Sequence, residues 1–336
     1  MRFFLGPILW PLTVLFYVIT VVRNFCFDKG LLKVRRFAVP IISVGNISVG
    51  GTGKTPHVKK IVEILQQQKK RVSIVSRGYG GNYGGYATRV LPDNENAASL
   101  YGDEPVFFAK NTMASIFVAH DRSAAVELSL QQANPEVIVS DDSFQHRWMG
   151  RSLDIVLIDS TDTNCWLMPV GRYREPLSSL GRAQIVILTK TNLINLQQKS
   201  TWLECLQKEG FSKKRGNIYE SAYAIHEISI FRGTHAFVDG EGVFLASSIA
   251  RPESFFKLVE HRCRVVKHFS RKDHYVWQQK DVDAMEIEAV DAGIKALLIT
   301  EKDAVKMENL IFRYLQVHTV RLELKIEPEL KYEDLI

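Results

Sequence analysis

Short apolar runs, many of them rich in β-branched residues, alternate along this chain with stretches whose apolar residues return at helical spacing. Residues 40–46 read as a buried strand, and Val58, Ile61, Val62 and Leu65 then mark one face of a helix. Further strands are predicted over 72–75, 115–119, 137–140, 154–159 and 185–188, with helical pattern between several of them. The alternation loosens over 193–240, where polar stretches such as 207–217 occur. It resumes with strands over 243–246, 263–269 and 295–300 and a helix over 251–261. Repeated strand–helix alternation without internal repeats predicts an α/β fold, with a mostly parallel sheet and helices on both faces. The looser stretch predicts a boundary between a body over 37–215 and a smaller C-terminal α/β domain over 216–336.

The first 36 residues break the pattern. No charged residue occurs over 3–22, and Phe, Leu, Ile, Val and Trp dominate. That is about the length of helix needed to cross a bilayer's hydrocarbon core. Pro7 and Pro11 near its start would kink it, so a shallow interfacial entry fits as well. A cleaved leader fits less well, because no small-residue cleavage site precedes the basic segment. Arg23, Lys29, Lys33, Arg35 and Arg36 follow on one side, which orients the body toward the cytoplasm. Residues 1–36 are therefore expected to anchor the chain to the inner membrane.

Composition refines this picture only slightly. Lys and Arg outnumber acidic residues by 43 to 37 among 336 residues, a net charge of +6. That excess suits a membrane surface or an anionic substrate. It is spread out rather than clustered with aromatics, which argues against nucleic acid. Four cysteines lie far apart without a CxxC pair, so neither a disulfide framework nor a zinc site is expected.

The candidate chemistry begins where the first strand ends. Ser48-Val49-Gly50-Gly51-Thr52-Gly53-Lys54-Thr55 is a glycine-rich loop opening a helix. Its backbone N–H groups can turn onto phosphate oxygens, Lys54 brings a point charge and Thr55 can ligate Mg²⁺. Ser48 stands where the common pattern has glycine. The strand over 137–140 leads into Asp141 and Asp142, acids placed to hold Mg²⁺ or its waters, and Ser143, Phe144, Gln145 and His146 follow. Gly102-Asp103-Glu104-Pro105 opens another helix; its acids fit a cap and a catalytic carboxylate equally. Arg122 sits at a strand edge, where solvation and phosphate binding both fit. Arg172 and Arg174 lie among turn formers, suited to bidentate phosphate recognition. Thr189-Lys190-Thr191-Asn192 lacks the aspartate with which a GTPase reads guanine, which favours adenine.

Taken in order, these motifs resemble the tetraacyldisaccharide 4′-kinase (lipid A 4′-kinase) family over essentially the whole chain. The resemblance rests on the apolar N-terminus, the loop through Gly-Gly-Thr-Gly-Lys-Thr-Pro, Ser-Arg-Gly-Tyr-Gly-Gly, Gly-Asp-Glu-Pro, Asp-Asp-x-Phe-Gln-His, Arg-Glu-Pro-Leu and Thr-Glu-Lys-Asp-Ala. It implies a P-loop NTPase-like core, ATP and Mg²⁺ as cofactors, and transfer of the γ-phosphate to the 4′-hydroxyl of a tetraacylated glucosamine disaccharide 1-phosphate. By the same resemblance Lys54 would contact the β- and γ-phosphates, while Thr55 and Asp142, with Asp141, would hold the metal. Asp103 would be the base, paired with His274. Glu104, Arg122, Gln145, His146 and Arg174 would line the phosphates and substrate. The family loop itself lacks the first glycine, as here at Ser48. It commonly has glycine where Ser143 stands, and a positive φ there would cost serine about 1 kcal/mol. The competing reading is a regulatory or metallochaperone-type NTPase driven by a protein partner, whereas the kinase reading requires no such partner.

Overall fold

The structure, a computed structural model, describes residues 6–336 apart from residues 95, 163, 213–216, 250 and 274. Helix α1 (Gly6–Asp28) comes first and runs on through Pro11, which costs it one intrahelical bond. The apolar run at 41–46 forms β1 (Ile41–Asn46), every residue of it buried. Helix α2 (Lys54–Gln67) buries the predicted stripe of Val58, Ile61, Val62 and Leu65. Then follow β2 (Val72–Ser76), β3 (Thr88–Arg89), α3 (Ala97–Tyr101), α4 (Asp103–Asn111), β4 (Ser115–Val118) and α5 (Arg122–Ala133). The first half closes with β5 (Val137–Asp141), β6 (Leu153–Asp159), β7 (Ile185–Thr189) and α6 (Leu196–Lys208). The remainder is β8 (Ile218–Arg232), β9 (Gly242–Ser247), α7 (Pro252–Val259), β10 (Arg264–Ser270), α8 (Gln279–Ala292), β11 (Ala296–Thr300), α9 (Glu301–Met307) and β12 (Gln316–Glu327).

All these strands share one sheet, ordered β10-β9-β11-β12-β8-β7-β6-β1-β5-β2-β4-β3. Only the β3–β4 and β8–β12 pairings are antiparallel among the described residues. Alternation along each strand feeds two cores, as a sheet covered on both faces requires. In the first half, Ile42 and Val44 pack with Val58 and Ile61 of α2 and Val106 of α4, while Ile41 and Ile138 pack with Ala125 and Val126 of α5. In the second half, Phe244 and Leu297 pack with Met285 of α8 and Met307 of α9. There the opposite face, with Val243 and Leu298, packs with Phe255 and Val259 of α7.

The loosened pattern over 193–240 conceals a helix and a strand of 15 residues. Strand β8 starts parallel to β7, with Val186 opposite Ile218, then runs antiparallel to β12 from Glu220 to Arg232. From Ala224 onward none of its residues is buried. Ile225, Ile228 and Phe231 there are only partly covered by the neighbouring cores, so the strand shows no continuous apolar run and periodicity missed it.

Helix α1 meets the protein through a mixed face that includes Phe27 and several polar residues, and its outer face is apolar. Thr13, Thr20 and Asn24 are buried, whereas Leu12, Leu15, Val18, Ile19 and Val22 are exposed. The helix is long and apolar enough, by length and composition, to cross a membrane.

Candidate active site

The loop after β1 is held in shape by neighbours on every side. Val49 N donates to the Arg172 carbonyl at 2.8 Å and Thr52 N to the Gly50 carbonyl at 2.9 Å. Asn46 Nδ2 donates to Thr52 Oγ1 at 2.8 Å, and Thr189 Oγ1 donates to the Thr52 carbonyl at 3.1 Å. Lys190 donates to the Gly51 carbonyl at 2.7 Å and pairs with Asp159 at 2.6 Å. The lysine of the Thr-Lys-Thr-Asn motif thus braces the loop from beneath. Gly53 caps α2 at φ +88°, where a side chain is strained and a Cβ would collide with Tyr223 Oη. Ser48 is buried against Tyr173 without a positive φ, so the missing glycine leaves the turn intact.

His57, one turn into α2, ties this loop to β8. Its Nδ1 lies 2.7 Å from the Gly53 carbonyl and its Nε2 2.9 Å from Ser221 Oγ. A carbonyl only accepts, so Nδ1 carries the proton and Nε2 accepts from the serine. Burial pushes the imidazole down to about 4 and keeps it neutral.

The acids at the end of β5 have opposite electrostatics. Asp141 is buried; Oδ2 accepts from Ser76 Oγ at 3.2 Å, and Oδ1 is buried with no hydrogen-bond partner. Burial, with the charges of Glu104 and Asp142, pushes its carboxyl up to about 7. Burial acts on Asp142 the same way, but Lys54 at 3.6 Å and Arg174 at 2.9 Å outweigh it and hold that carboxyl well below the usual range. Ser143 needs no positive φ; the turn places it on Asp142, at +50°, a residue that tolerates it. Ser143 is buried, bonded to Ser140 Oγ, and pays no backbone strain.

Arg122 corrects the solvated alternative: it is buried and donates to the Asp142 carbonyl at 2.8 Å and the Asp141 carbonyl at 3.4 Å. It shapes the acidic turn from behind. Gln145 Nε2 donates to the Asn46 carbonyl at 2.8 Å. His146 lies 3.5 Å from Asp121, and burial followed by the charge of Arg122 pushes it down to about 4. Glu104 Oε1 accepts from Thr55 Oγ1 at 3.2 Å.

Sequence left Asp103 and Glu104 open between cap and catalytic acid. Neither occupies the N-cap position of α4, which is Gly102; both lie in the first turn. Both meet lysines of α9 instead: Lys302 lies 3.1 Å from Glu104, 3.7 Å from Asp103 and 3.9 Å from Asp273, and Lys306 lies 3.1 Å from Asp103. These lysines, with Arg251, escaped residue-by-residue reading. Arg251, beside α7, pairs with Asp159 at 3.0 Å and also with Asp162, reaching the acid that Lys190 shares with the loop. The available signal was the Thr-Glu-Lys-Asp-Ala motif, which carries Lys302 but says nothing of its partner.

One cavity of about 1500 Å³ collects most of these groups. Ser48 through Thr55 line it, facing Glu104, Arg122, Asp141, Asp142, Gln145, His146 and Arg174 from the first half. Arg251, Asp273 and Lys302 line it from the second. Asp103 sits behind this wall, nearly buried against Lys306. His274 lies outside the described residues. Among the described residues, no three His, Cys, Asp or Glu side chains converge as a metal cage. The orphaned Asp141 Oδ1, Asp142, Glu104 and the Thr55 hydroxyl are hard oxygen donors. They suit Mg²⁺, which takes one or two carboxylates and completes its shell with water and phosphate.

A braced phosphate loop opening a helix, paired acids at the end of the adjacent parallel strand, and cations converging on one cavity define a P-loop phosphotransferase. Residues 5–335 match the family model of the tetraacyldisaccharide-1-P 4′-kinases, LpxK. The tetraacyldisaccharide 4′-kinase of Flavobacterium johnsoniae is 32% identical over 313 residues, covering 91% of this chain and 88% of that protein. That of Koribacter versatilis is 31% identical over 328 residues, covering 94% of each. The crystal structure of LpxK from Aquifex aeolicus in complex with ATP superposes with a TM-score of 0.74 at 28% identity, covering 97% of this chain and 96% of that one. The chain belongs to the tetraacyldisaccharide 4′-kinase family.

Proposed function

We propose that this chain transfers the γ-phosphate of ATP to the 4′-hydroxyl of a tetraacylated glucosamine disaccharide 1-phosphate, in lipid A biosynthesis. The observation that carries the reading is the phosphate loop facing Glu104 of α4 and Lys302 of α9 across a single cavity, with Asp103 and Lys306 paired behind them. Phosphoryl transfer needs positioning and charge neutralisation more than covalent chemistry, and this cavity offers both. The loop amides and Lys54 hold the β- and γ-phosphates. Arg174 and Lys54 keep Asp142 ionised beside them. Thr55, Asp141 and Asp142 hold Mg²⁺, which when bound with the nucleotide neutralises phosphate charge.

Asp103 accepts the proton of the 4′-hydroxyl, with His274 orienting it. The sugar oxygen then bonds to the γ-phosphorus as the bond to the β-phosphate oxygen breaks, and ADP leaves. Glu104, Arg122, Gln145 and His146 shape the pocket around the reacting groups. Residues 37–215 bind nucleotide, and residues 216–336 form a smaller domain that closes over the acceptor.

Membrane association follows from the exposed apolar face of α1 and from the acylated acceptor. We assign the cytoplasmic face of the inner membrane, with α1 lying in the interface rather than spanning it. Contacts with the body along the helix support this. Trp10 packs edge-on against Trp166 near one end, and Phe27 against Trp148 near the other, both at 4.9 Å. Half-exposed tryptophans at such a boundary suit the headgroup layer. No protein partner is required by this chemistry. Purified protein, ATP and Mg²⁺ are expected to phosphorylate the lipid in detergent micelles; lipid left unphosphorylated would contradict the assignment.

A further inference from the structure

Among the polar contacts by which α1 meets the body is one with a buried carboxylate. Glu175 is fully buried; its Oε2 accepts from Arg182 at 2.8 Å and from Asn24 Nδ2, on α1, at 3.0 Å, and Arg23 lies 3.6 Å from Oε1. A second contact joins the same loop to α1, where Val170 N donates to Thr13 Oγ1 at 3.4 Å. Its neighbour Arg174 points the other way, gripping Asp142 at 2.9 and 3.3 Å together with Asn46. The backbone between them is pinned, since Arg174 N donates to the Ile47 carbonyl at 2.7 Å. A helix serving only as a tether has no need of a side chain that donates to a buried acid 151 positions away.

We infer that Asn24 is a positioning residue for phosphoryl transfer: by seating Glu175 it fixes the loop that aims Arg174 at Asp142, making α1 a working part of the active site. The inference rests on the assignment of Arg174 and Asp142 to the reaction. A buried carboxylate that loses a donor must move or find water, and here the nearest thing to move is the loop carrying Arg174. Membrane docking and catalytic competence are then linked through one hydrogen bond.

The test uses the full chain with acceptor in detergent micelles, so that bilayer binding does not limit turnover, and vesicle flotation with phosphatidylethanolamine and phosphatidylglycerol as a separate readout. Asn24→Ala and the isosteric Asn24→Asp are expected to float like the parent yet lose about tenfold or more in kcat, with KM for ATP within about threefold. The exchange Asn24→Asp with Glu175→Gln keeps charge, size and one donor, and is expected to recover kcat to within about threefold of the parent. A packing role alone would leave Asn24→Asp active and give the exchange nothing to restore. Asn24 variants within about twofold of the parent, or an exchange that restores nothing, would overturn the inference. Arg174→Ala separates the layers. If it keeps parental kcat, the site assignment itself fails; if it is inactive while the Asn24 variants are active, only the link to α1 fails.

Discussion

Lys302 on α9 and Glu104 on α4 meet across the cavity at 3.1 Å although 198 positions separate them in the chain. Burial alone would lower the lysine's affinity for its proton, but Glu104, Asp103 and Asp273 together raise it, so the ammonium stays charged. Glu104 in turn contacts Thr55 at the start of α2, which extends the link from the second half of the chain to the phosphate loop. The two halves of the sheet therefore share one electrostatic centre.

Replacing that lysine should uncouple the halves. Lys302→Met is expected to cost about 2–4 kcal/mol in urea unfolding, because it removes the cation beside Glu104 and leaves that acid next to Asp103, which keeps Lys306. Its kcat should fall by about tenfold or more, with a smaller change in ATP affinity. Stability and turnover both near parental values would show the bridge to be incidental.

Gly53 is constrained twice, by its φ of +88° and by Tyr223 above it. Gly53→Ala is expected to weaken ATP binding by about tenfold or more in a calorimetric titration, through strain of about 1 kcal/mol plus displacement of the loop. Adding Tyr223→Phe removes the colliding hydroxyl but not the strained φ, so recovery should be partial. Full affinity in Gly53→Ala alone would mean the loop adjusts freely.

The phosphate loop was legible because its chemistry is contiguous: Gly53, Lys54 and Thr55 must be neighbours to turn a strand into a helix around phosphate. Asp141 and Asp142 were legible for the same reason, at the end of an unbroken apolar strand. What sequence left open was orientation. Asp103 and Glu104 at a helix start fit a cap until α9 supplied their partners, and Arg122 fit a solvated edge until it was found buried behind the acidic turn. The positive φ of this turn falls on Asp142 and not on Ser143, because a glycine pattern does not say which peptide turns. Strand β8 was missed because its second half is only partly buried and interleaved with polar residues, and its role in bracing the loop through Ser221 and Tyr223 was hidden with it.

That bracing predicts a pH dependence of stability. His57 is held neutral in the fold at about 4, below its ordinary value near 6.5. Below pH 6.5 the unfolded chain therefore binds a proton that the folded chain refuses, and the contribution of His57 to stability is lost as pH falls from 6.5 toward 4. His146, also near 4, adds to the same slope. Thermal unfolding from pH 7 to pH 5 should show the parent losing more than His57→Gln over that interval, although the variant starts lower. Equal slopes would place the pH dependence elsewhere.

Asp103 carries the heaviest assignment, and its replacement is the most direct test of the proposed chemistry. In Asp103→Ala, single-turnover transfer to the acylated disaccharide is expected to fall by about 10²–10⁴-fold, the range of a lost general base. The dissociation constant for ATP, measured on the same preparation, should stay within about threefold of the parent. Parallel loss of turnover and ATP affinity would instead make Asp103 a structural partner of Lys306, and an unchanged transfer rate would remove it from the reaction altogether.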